Sequence, residues 1–467
     1  MDGFLSYIKE SVRIFRENIS NEPIRILGHL DSDGISSCSI LIKSFYREGI
    51  KVVYSSHKQV DEKVIKELGK EPYKMIFFVD FGSNVLKFIN QHLTGKKVFI
   101  LDHHKFEDIK TEHININQNI FGINDSSISG AGIAYLFSRC LNPKNKDLSY
   151  LALIGAIGDN QEKNGFSDLN KLIANDAIEF GEVDIKVGLS IFGSQTKPLH
   201  KLISSSTDIF IPGITGNEVG AKKFLEDLGI DVIDKEGNYK KAFDLNKEEL
   251  NKLITAIMIS KIESKDKPED IIGNIYTLKK EDNGESTKDL KEFSTLLNAC
   301  GRLNLPTLGI GTCLGDKNFK KKAIDLLKVY KSEIINSMNW IYSNRKTENI
   351  IEKDKIIIIN AKNNIKDTLI GTVNSILCKS GIFNEESLVV SMAHTPDNEI
   401  KISLRSINNK TDLGQLIGEV CSKLGGVGGG HPNAAGGLIP IEKENEFIKE
   451  ILSKFDFEVV PNHKPNI

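Results

Sequence analysis

The chain has 467 residues, enough for roughly two to four domains with cores of their own. At 40% hydrophobic residues, with 38 glycines besides, it has the apolar share of an ordinary folded protein, so wholesale disorder is excluded. Its 61 basic and 63 acidic side chains leave a formal net charge of -2, so no broad basic field advertises nucleic acid, and a phosphate-bearing substrate has to be held by a local patch or by metal ions.

The longest charge-free apolar run, Tyr150 to Gly158, falls far short of the ~20 residues of a membrane span, so no membrane partner is expected. The opening Met1-Asp2-Gly3-Phe4 lacks the basic region of a signal peptide, and Glu10, Arg13, Arg16 and Glu17 interrupt the hydrophobic stretch after it, which points to a cytoplasmic location. Six scattered cysteines (Cys38, Cys140, Cys300, Cys313, Cys378, Cys421) form no CxxC pair and read as reduced thiols.

Short runs rich in Ile, Val and Phe predict strands at Ile24–Gly28, Lys51–Tyr54, Met75–Val79 and Val98–Leu101, with helices between them at Gly34–Arg47, Val60–Leu68 and Asn84–His92. That alternation is the pattern of a parallel sheet with helices on its faces. The apolar run Leu151–Gly158 closes on Asp159, after which strand signals fade and a polar loop to Asp168 leads into helical segments. A charged, low-aromatic stretch from Ser205 to Leu314 reads as an insertion, with Lys261–Asp270 and Lys279–Asp289 as exposed connections. Lys317–Arg345 predicts one long helix bridging two lobes, and strands return at Ile356–Ile359, Ser387–Met392 and Glu399–Leu404, followed by a helix at Leu413–Leu424 and a Gly-rich stretch. The expected fold is α/β: a parallel-sheet domain (1–195), a helical inserted subdomain (196–316), a linking helix (317–347) and a smaller C-terminal α/β domain (348–467).

The chemistry gathers behind the strands of the first domain. Ile24–Gly28 is followed by His29, Asp31 and Asp33, Met75–Val79 by Asp80, and Val98–Leu101 by Asp102, His103 and His104; Asp159 follows the fourth run. Strand ends of an open parallel sheet point to one edge, where ligands bind, so five carboxylates and three histidines are expected to converge there. Crowded carboxylates raise one another's pKa, and a stable cluster needs cations. Mixed imidazole and carboxylate donors suit Mn²⁺, Fe²⁺ or Zn²⁺, and a carboxylate-heavy set favours Mn²⁺ or Mg²⁺. Two such ions about 3.5 to 4 Å apart are the usual arrangement for hydrolysing phosphate esters. Taken singly, each motif has a plainer reading: Asp31 and Asp33 as caps of the helix near Gly34, His103 and His104 as a strand-end pair, Asp159 as another cap.

Together, and in this order, His29-x-Asp31-x-Asp33-Gly34, Asp80-x-Gly82, Asp102-His103-His104 and Gly155-Ala-Ile-Gly-Asp159 resemble the four motifs of the DHH phosphoesterase superfamily. Gly428-Gly429-Gly430-His431 with Asn433-Ala434-Ala435-Gly436 resembles the GGGH motif of the DHH-associated domain, and Lys401-Ile-Ser-Leu-Arg405-Ser406 its phosphate-contacting strand. Ile211–Glu218 and Phe293–Arg302 are similar to stretches of archaeal RecJ-like nucleases, and the likeness spans His29 to Gly437.

The resemblance implies an Mn²⁺-dependent exonuclease on single-stranded DNA or RNA, working in replication or repair from a cleft between the first and last domains, in some members bound to the GINS complex of the replicative helicase. Matched motif to motif, His29, Asp31, Asp33, Asp80, His103 and Asp159 are the implied ligands of two divalent ions, Mn²⁺ first and Mg²⁺ second, with Asp80 the bridge. Asp102, His103 and His104 are the implied catalytic group: His104 for an ion or the scissile phosphate, Asp102 to orient the histidines. The attacking water is acidified by the metals, so no separate general base is demanded.

In the C-terminal domain Arg405 offers a planar fork to phosphate, with Ser406 beside it. Gly428, Gly429 and Gly430 offer backbone N–H groups at a helix start, and His431 a further donor. An exposed strand charge and a plain flexible turn are the alternatives. Ser126–Gly132 reads either as a close-approach segment or as turn chemistry. The lysines of the long helix, Lys317 to Lys331, read as a solvated face. Two other functions stand beside the nuclease: a replication scaffold on GINS or the helicase with little catalysis, which the intact motifs disfavour, and a phosphodiesterase of nanoRNA or cyclic dinucleotides, which the inserted region disfavours.

Overall fold

The computed structural model describes residues 1–163, 165–205, 211, 213–263, 272–353, 355–380, 383, 387–406 and 411–455. Within the predicted connection Lys261–Asp270, 264–270 lie outside these, as do Pro212 and His463. The chain divides into two compact units, residues 1–327 and 328–467.

Unit 1 is built on five parallel strands, β1 (Ile24–His29), β2 (Val52–His57), β3 (Met75–Val79), β4 (Lys97–Leu101) and β5 (Ile114–Ile116), in the order β2-β1-β3-β4-β5. The four predicted strands are all present; β5, only three residues long, carried no pattern to find it by. Both faces of the sheet are covered, which is why β3 is apolar throughout. Adjacent residues face opposite ways: Phe77 stacks on Phe99 at 4.8 Å with Phe15, Phe45 and Phe137 around them, and Phe78 joins Leu27, Ile76 and Ile100 in the opposite core.

The helices of this part are α1 (Asp2–Asn18), α2 (Ser32–Arg47), α3 (Glu62–Lys70), α4 (Leu86–His92, after a 3-10 turn Ser83–Val85), α5 (Gly130–Leu141), α6 (Ser149–Gly158) and α7 (Asp168–Glu179). α2 begins at Asp31, whose carboxylate accepts from Gly34 N at 3.1 Å. The run Leu151–Gly158, read with the strand ends in sequence, is α6 instead. An apolar run of this length has no periodicity to separate a buried helix from a buried strand, and α6 is buried on nearly every side.

Strands also continue past Asp159, against expectation. β6 (Val183–Leu189) pairs antiparallel with β7 (Ile272–Leu278), with Val183 opposite Leu278. The partners lie far apart in sequence and carry glycines and polar residues, so neither stands out locally. Between them α8 (Leu199–Ser204), α9 (Glu218–Asp227) and α10 (Lys247–Glu263) surround a separate core of Leu199, Leu202, Leu225, Leu253 and Ile257, the helical middle region. The predicted exposed connection 279–289 ends buried: Thr287 is enclosed, and Asp289 caps α11 (Leu290–Arg302) by accepting from Lys291 N and Glu292 N. α12 (Pro306–Cys313) follows, and α13 (Lys317–Asn344) is the predicted long helix, within which the two units divide.

Unit 2 is a six-stranded mixed sheet of β8 (Ile350–Lys353), β9 (Ile356–Asn360), β10 (Leu388–His394), β11 (Glu399–Ser406), β12 (Val427–His431) and β13 (Ala434–Pro440), ordered β12-β13-β11-β10-β9-β8. Its helices are α14 (Asp367–Lys379), α15 (Leu413–Lys423) and α16 (Glu444–Ser453), and its core joins Val390, Ile402, Leu404, Ile417 and Phe447. The Gly-rich stretch is not a helix start. It is the edge strand β12, antiparallel to β13.

Candidate metal centre

The strand order reverses beside β1: the chain leaves it for β2 on one side and returns to β3 on the other. Open α/β sheets bind ligands at such a switch point. Here the carboxyl ends of β1 and β3 present His29 and Asp80. Asp80 has φ +64°, a left-handed conformation that Asp and Asn tolerate better than most residues, and its amide is held by Leu101 O at 2.8 Å.

Three groups of side chains meet there, each with donor atoms within 4.8 Å of one another: His29, Asp31 and Asp80; Asp80, His103 and His104; Asp33, His103 and Asp159. Asp80 belongs to two of them through different oxygens. Its Oδ2 lies 3.3 Å from His29 Nδ1, which is also 2.9 Å from Asp31 Oδ2. Its Oδ1 lies 3.4 Å from His103 Nε2 and 4.0 Å from His104 Nδ1. His103 Nε2 is also 3.3 Å from Asp159 Oδ2 and 3.8 Å from Asp33 Oδ2. Seven of the eight sequence candidates converge. The eighth, Asp102, stands behind them.

Asp102 is fully buried and accepts from Ser83 N at 2.9 Å, from His104 N at 3.1 Å and from His104 Nδ1 at 2.8 Å. It therefore orients His104 alone, not both histidines, and leaves Nε2 as the imidazole's other nitrogen for polar contact. Asp31 is both the cap of α2 and a neighbour of His29, so its two readings coexist. Asp33 caps a different helix from the one expected: its oxygens accept from Gly130 N at 2.7 Å and Ala131 N at 2.9 Å, the first turn of α5. The small residues of 126–132 serve this approach, since a Cβ on Gly130 would sit 2.9 Å from Asp80 Cβ. Asp159 arrives at the C-terminal end of α6.

The electrostatics are those of an acid cluster lacking enough positive charge. Burial, then the carboxylates of Asp80 and Asp31, push Asp159 up to about 7. Burial, Asp80 and Asp159 push Asp33 up as well, against the pull of His103. Burial opposes charge on His29 and His103, yet the surrounding aspartates hold both imidazoles well above their usual value. Asp31 is held low against burial, by His29 first and by Arg302. Asp102 is held low, also against burial, by His104. Asp80 Oδ1 and Asp159 Oδ2 are buried without a hydrogen bond of good geometry among the described residues. Aspartate oxygens aimed inward beside imidazole nitrogens are a donor set that fits Mn²⁺ or Mg²⁺.

Sequence reasoning missed the supports. Ser32 N donates to Asn298 Oδ1 on α11 at 3.0 Å, and Ser294 and Ser32 hydroxyls meet at 3.1 Å. Gly155 of α6 faces Asp33: a Cβ there would lie 2.2 Å from Asp33 Oδ1 and 2.6 Å from Ala131 Cβ. Gly155→Ala is therefore expected to cost about 1–3 kcal/mol through overpacking and to weaken metal uptake at the same time, as thermal melts and Mn²⁺ titrations of the variant would register.

The second group of sequence candidates lies in unit 2. Arg405, Ala434 and His431 occupy one row across β11, β13 and β12, so the arginine and histidine share a sheet face. Arg405 Nε donates to Ser375 Oγ at 3.0 Å and Nη1 to Leu404 O at 2.8 Å, which fixes the fork; Ser406, expected beside it, is buried on the opposite face of β11, the face of Ile402 and Leu404, because successive strand residues alternate. Gly428 packs against α15, where a Cβ would meet Ile417 O at 2.7 Å, and Gly430 has φ +145° and lies against Ala434 O. Only Gly429 of the three borders open space.

Comparison with known proteins bears on all three regions. The DHH family N-terminal domain matches residues 23–156, the DHH-CID domain 191–274 and the DHHA1 domain 354–456. The chain is 31% identical over 462 residues to the uncharacterized protein MJ0831 of Methanocaldococcus jannaschii, covering 96% of this chain and 97% of that one. Among solved structures it is similar to RecJ of Thermus thermophilus in complex with Mn²⁺ (14% identity, TM-score 0.59, 96% of this chain), of which it spans about half, 54%. It is also similar to a manganese-bound exonuclease RecJ (15%, TM-score 0.57, covering 96% and 94%) and to CDC45 of Entamoeba histolytica (12%, TM-score 0.65, covering 95% and 98%). At these identities the structures share the fold. With a full-length relative and three domain families matched in order, the chain belongs to the DHH phosphoesterase family.

Proposed function

We propose that the protein is a metal-dependent exonuclease that hydrolyses phosphodiester bonds of single-stranded DNA or RNA with two divalent ions, in DNA replication or repair. The observation that carries this reading is the division of Asp80 between two donor groups, Oδ2 toward His29 and Oδ1 toward His103. His29 and Asp31 would hold one ion, Asp33, His103 and Asp159 the other, and Asp80 both. Mn²⁺, or Mg²⁺ in its place, supplies when bound an acidified attacking water and neutralises charge on the phosphate.

The rest falls to the chain. Asp102 fixes the His104 ring and, against burial, keeps its pKa raised, so His104 can donate a hydrogen bond to a phosphate oxygen. Arg405, His431 and the backbone of Gly428, Gly429 and Gly430 would hold phosphates of the strand being degraded. A second reading is a replication scaffold on GINS or the helicase, favoured by the likeness to CDC45; the complete acid and histidine set weighs for catalysis.

The test is degradation of single-stranded DNA and RNA, labelled separately at the 5′ and 3′ ends, with Mn²⁺. Stepwise loss of label that Asp80→Ala and His103→Ala both abolish is the expected result, and it reports polarity and sugar preference together. No cleavage of either polymer by folded, metal-loaded protein would overturn the nuclease reading.

A further inference from the structure

We infer that the consecutive amides Asn117, Gln118 and Asn119 form a clamp that positions His103 and His104, and that it tunes the Asp33–His103–Asp159 ion site while leaving the His29–Asp31 site alone. The inference rests on the metal-dependent reading of the centre.

Beyond Leu101 the chain leaves β4, and the carbonyls of His103 and His104 have no strand partner in the sheet. A buried carbonyl without a donor is costly, and a turn whose carbonyls are free can also shift. Here the donors are side chains. Gln118 Nε2 and Asn119 Nδ2 each donate to His103 O at 3.0 Å; Asn117 Nδ2 donates to His104 O at 2.8 Å, and Asn119 Nδ2 also reaches it at 3.2 Å. Asn117 and Gln118 are fully buried.

The short strand β5 explains how they arrive: Leu101 pairs with Ile116, so the three residues after β5 run beside the three after β4. The opposite side of the turn is held too. Asn117 Nδ2 also bonds Ser83 Oγ at 3.0 Å, and Ser83 N binds the Asp102 carboxylate that orients His104. The histidine turn is thus gripped by amides along its backbone and by Asp102 at its head. His29 and Asp31 hang instead from the end of β1 and the cap of α2, so their backbone is set by different elements.

Groups behind metal ligands commonly change affinity by about 10- to 100-fold when replaced. Mn²⁺ titration calorimetry on the full chain reads the clamp directly, comparing native protein with Gln118→Met, which removes a donor at nearly constant size without burying a charge, and Asn119→Ala, which removes two bonds at a half-buried position where folding is expected to survive. Native protein should take up two Mn²⁺ ions. In the variants one binding step should weaken about 10- to 100-fold with the other unchanged, and the melting temperature in chelator should fall by only a few degrees, the cost of a lost donor to a buried carbonyl. Two unchanged steps, or two steps weakened alike, would overturn the clamp while leaving the metal reading intact. A native protein that takes up no Mn²⁺ would remove the metal reading, and the clamp with it.

Discussion

Asp80→Asn is expected to lower the rate of strand cleavage by at least about a thousandfold, corresponding to roughly 4 kcal/mol of lost transition-state stabilisation, while the metal-free protein stays folded. One carboxylate serves both donor groups, so its loss should weaken both ions and not one. Asparagine is the instructive replacement, because it accepts the left-handed backbone at this position as aspartate does. It also takes away the like charge that helps push Asp33 and Asp159 upward. Single-turnover cleavage of labelled single-stranded DNA, beside circular-dichroism melts in chelator, checks both halves; activity within tenfold of native would sink the bridging role.

The second large effect is a pH dependence that metal reverses. Asp159 has its folded pKa raised from 3.8 to about 7, so its contribution to stability is complete below about 4 and is lost as the pH rises through about 7. His29 and His103 are raised too, and their contributions are present below 6.5 and lost at still higher pH. Asp31 and Asp102 are lowered and act oppositely, but their loss begins only below about 4. Between about pH 4 and pH 8 the metal-free protein should therefore melt at steadily lower temperature. Mn²⁺ requires the deprotonated donors, so its stabilising effect should grow over the same range, reaching about 2.7 kcal/mol where the ion stands at a hundred times its dissociation constant. Calorimetric melts at stepped pH, with chelator and with Mn²⁺, would show the two trends diverge; parallel curves would mean that the cluster does not take up the ion.

Much of this centre is written into the chain because parallel strands end at one edge, so acids and histidines directly behind apolar runs must meet. His29, Asp80 and His103 are legible for that reason. Asp159 is legible as a residue but not as a geometry, since Leu151–Gly158 holds no period and is helical. Its glycines are used for contact: Gly155 admits α6 onto Asp33. β6 and β7 stayed hidden because strand pairing over so long a separation leaves no local mark. The amides at 117–119 were invisible for a similar reason, since only the register of β5 on β4 sets them beside the histidines.

The glycine strand at the margin of the second sheet has a bearing on how tolerance to substitution should be read. At 428 and 430 any side chain collides with backbone, of α15 in one case and β13 in the other, whereas at 429 it would project into open space. A saturation scan across the three positions would report two unlike pressures on one segment. Intolerance at the outer two follows from packing with or without a ligand, and only the middle residue's tolerance reports on what the strand touches.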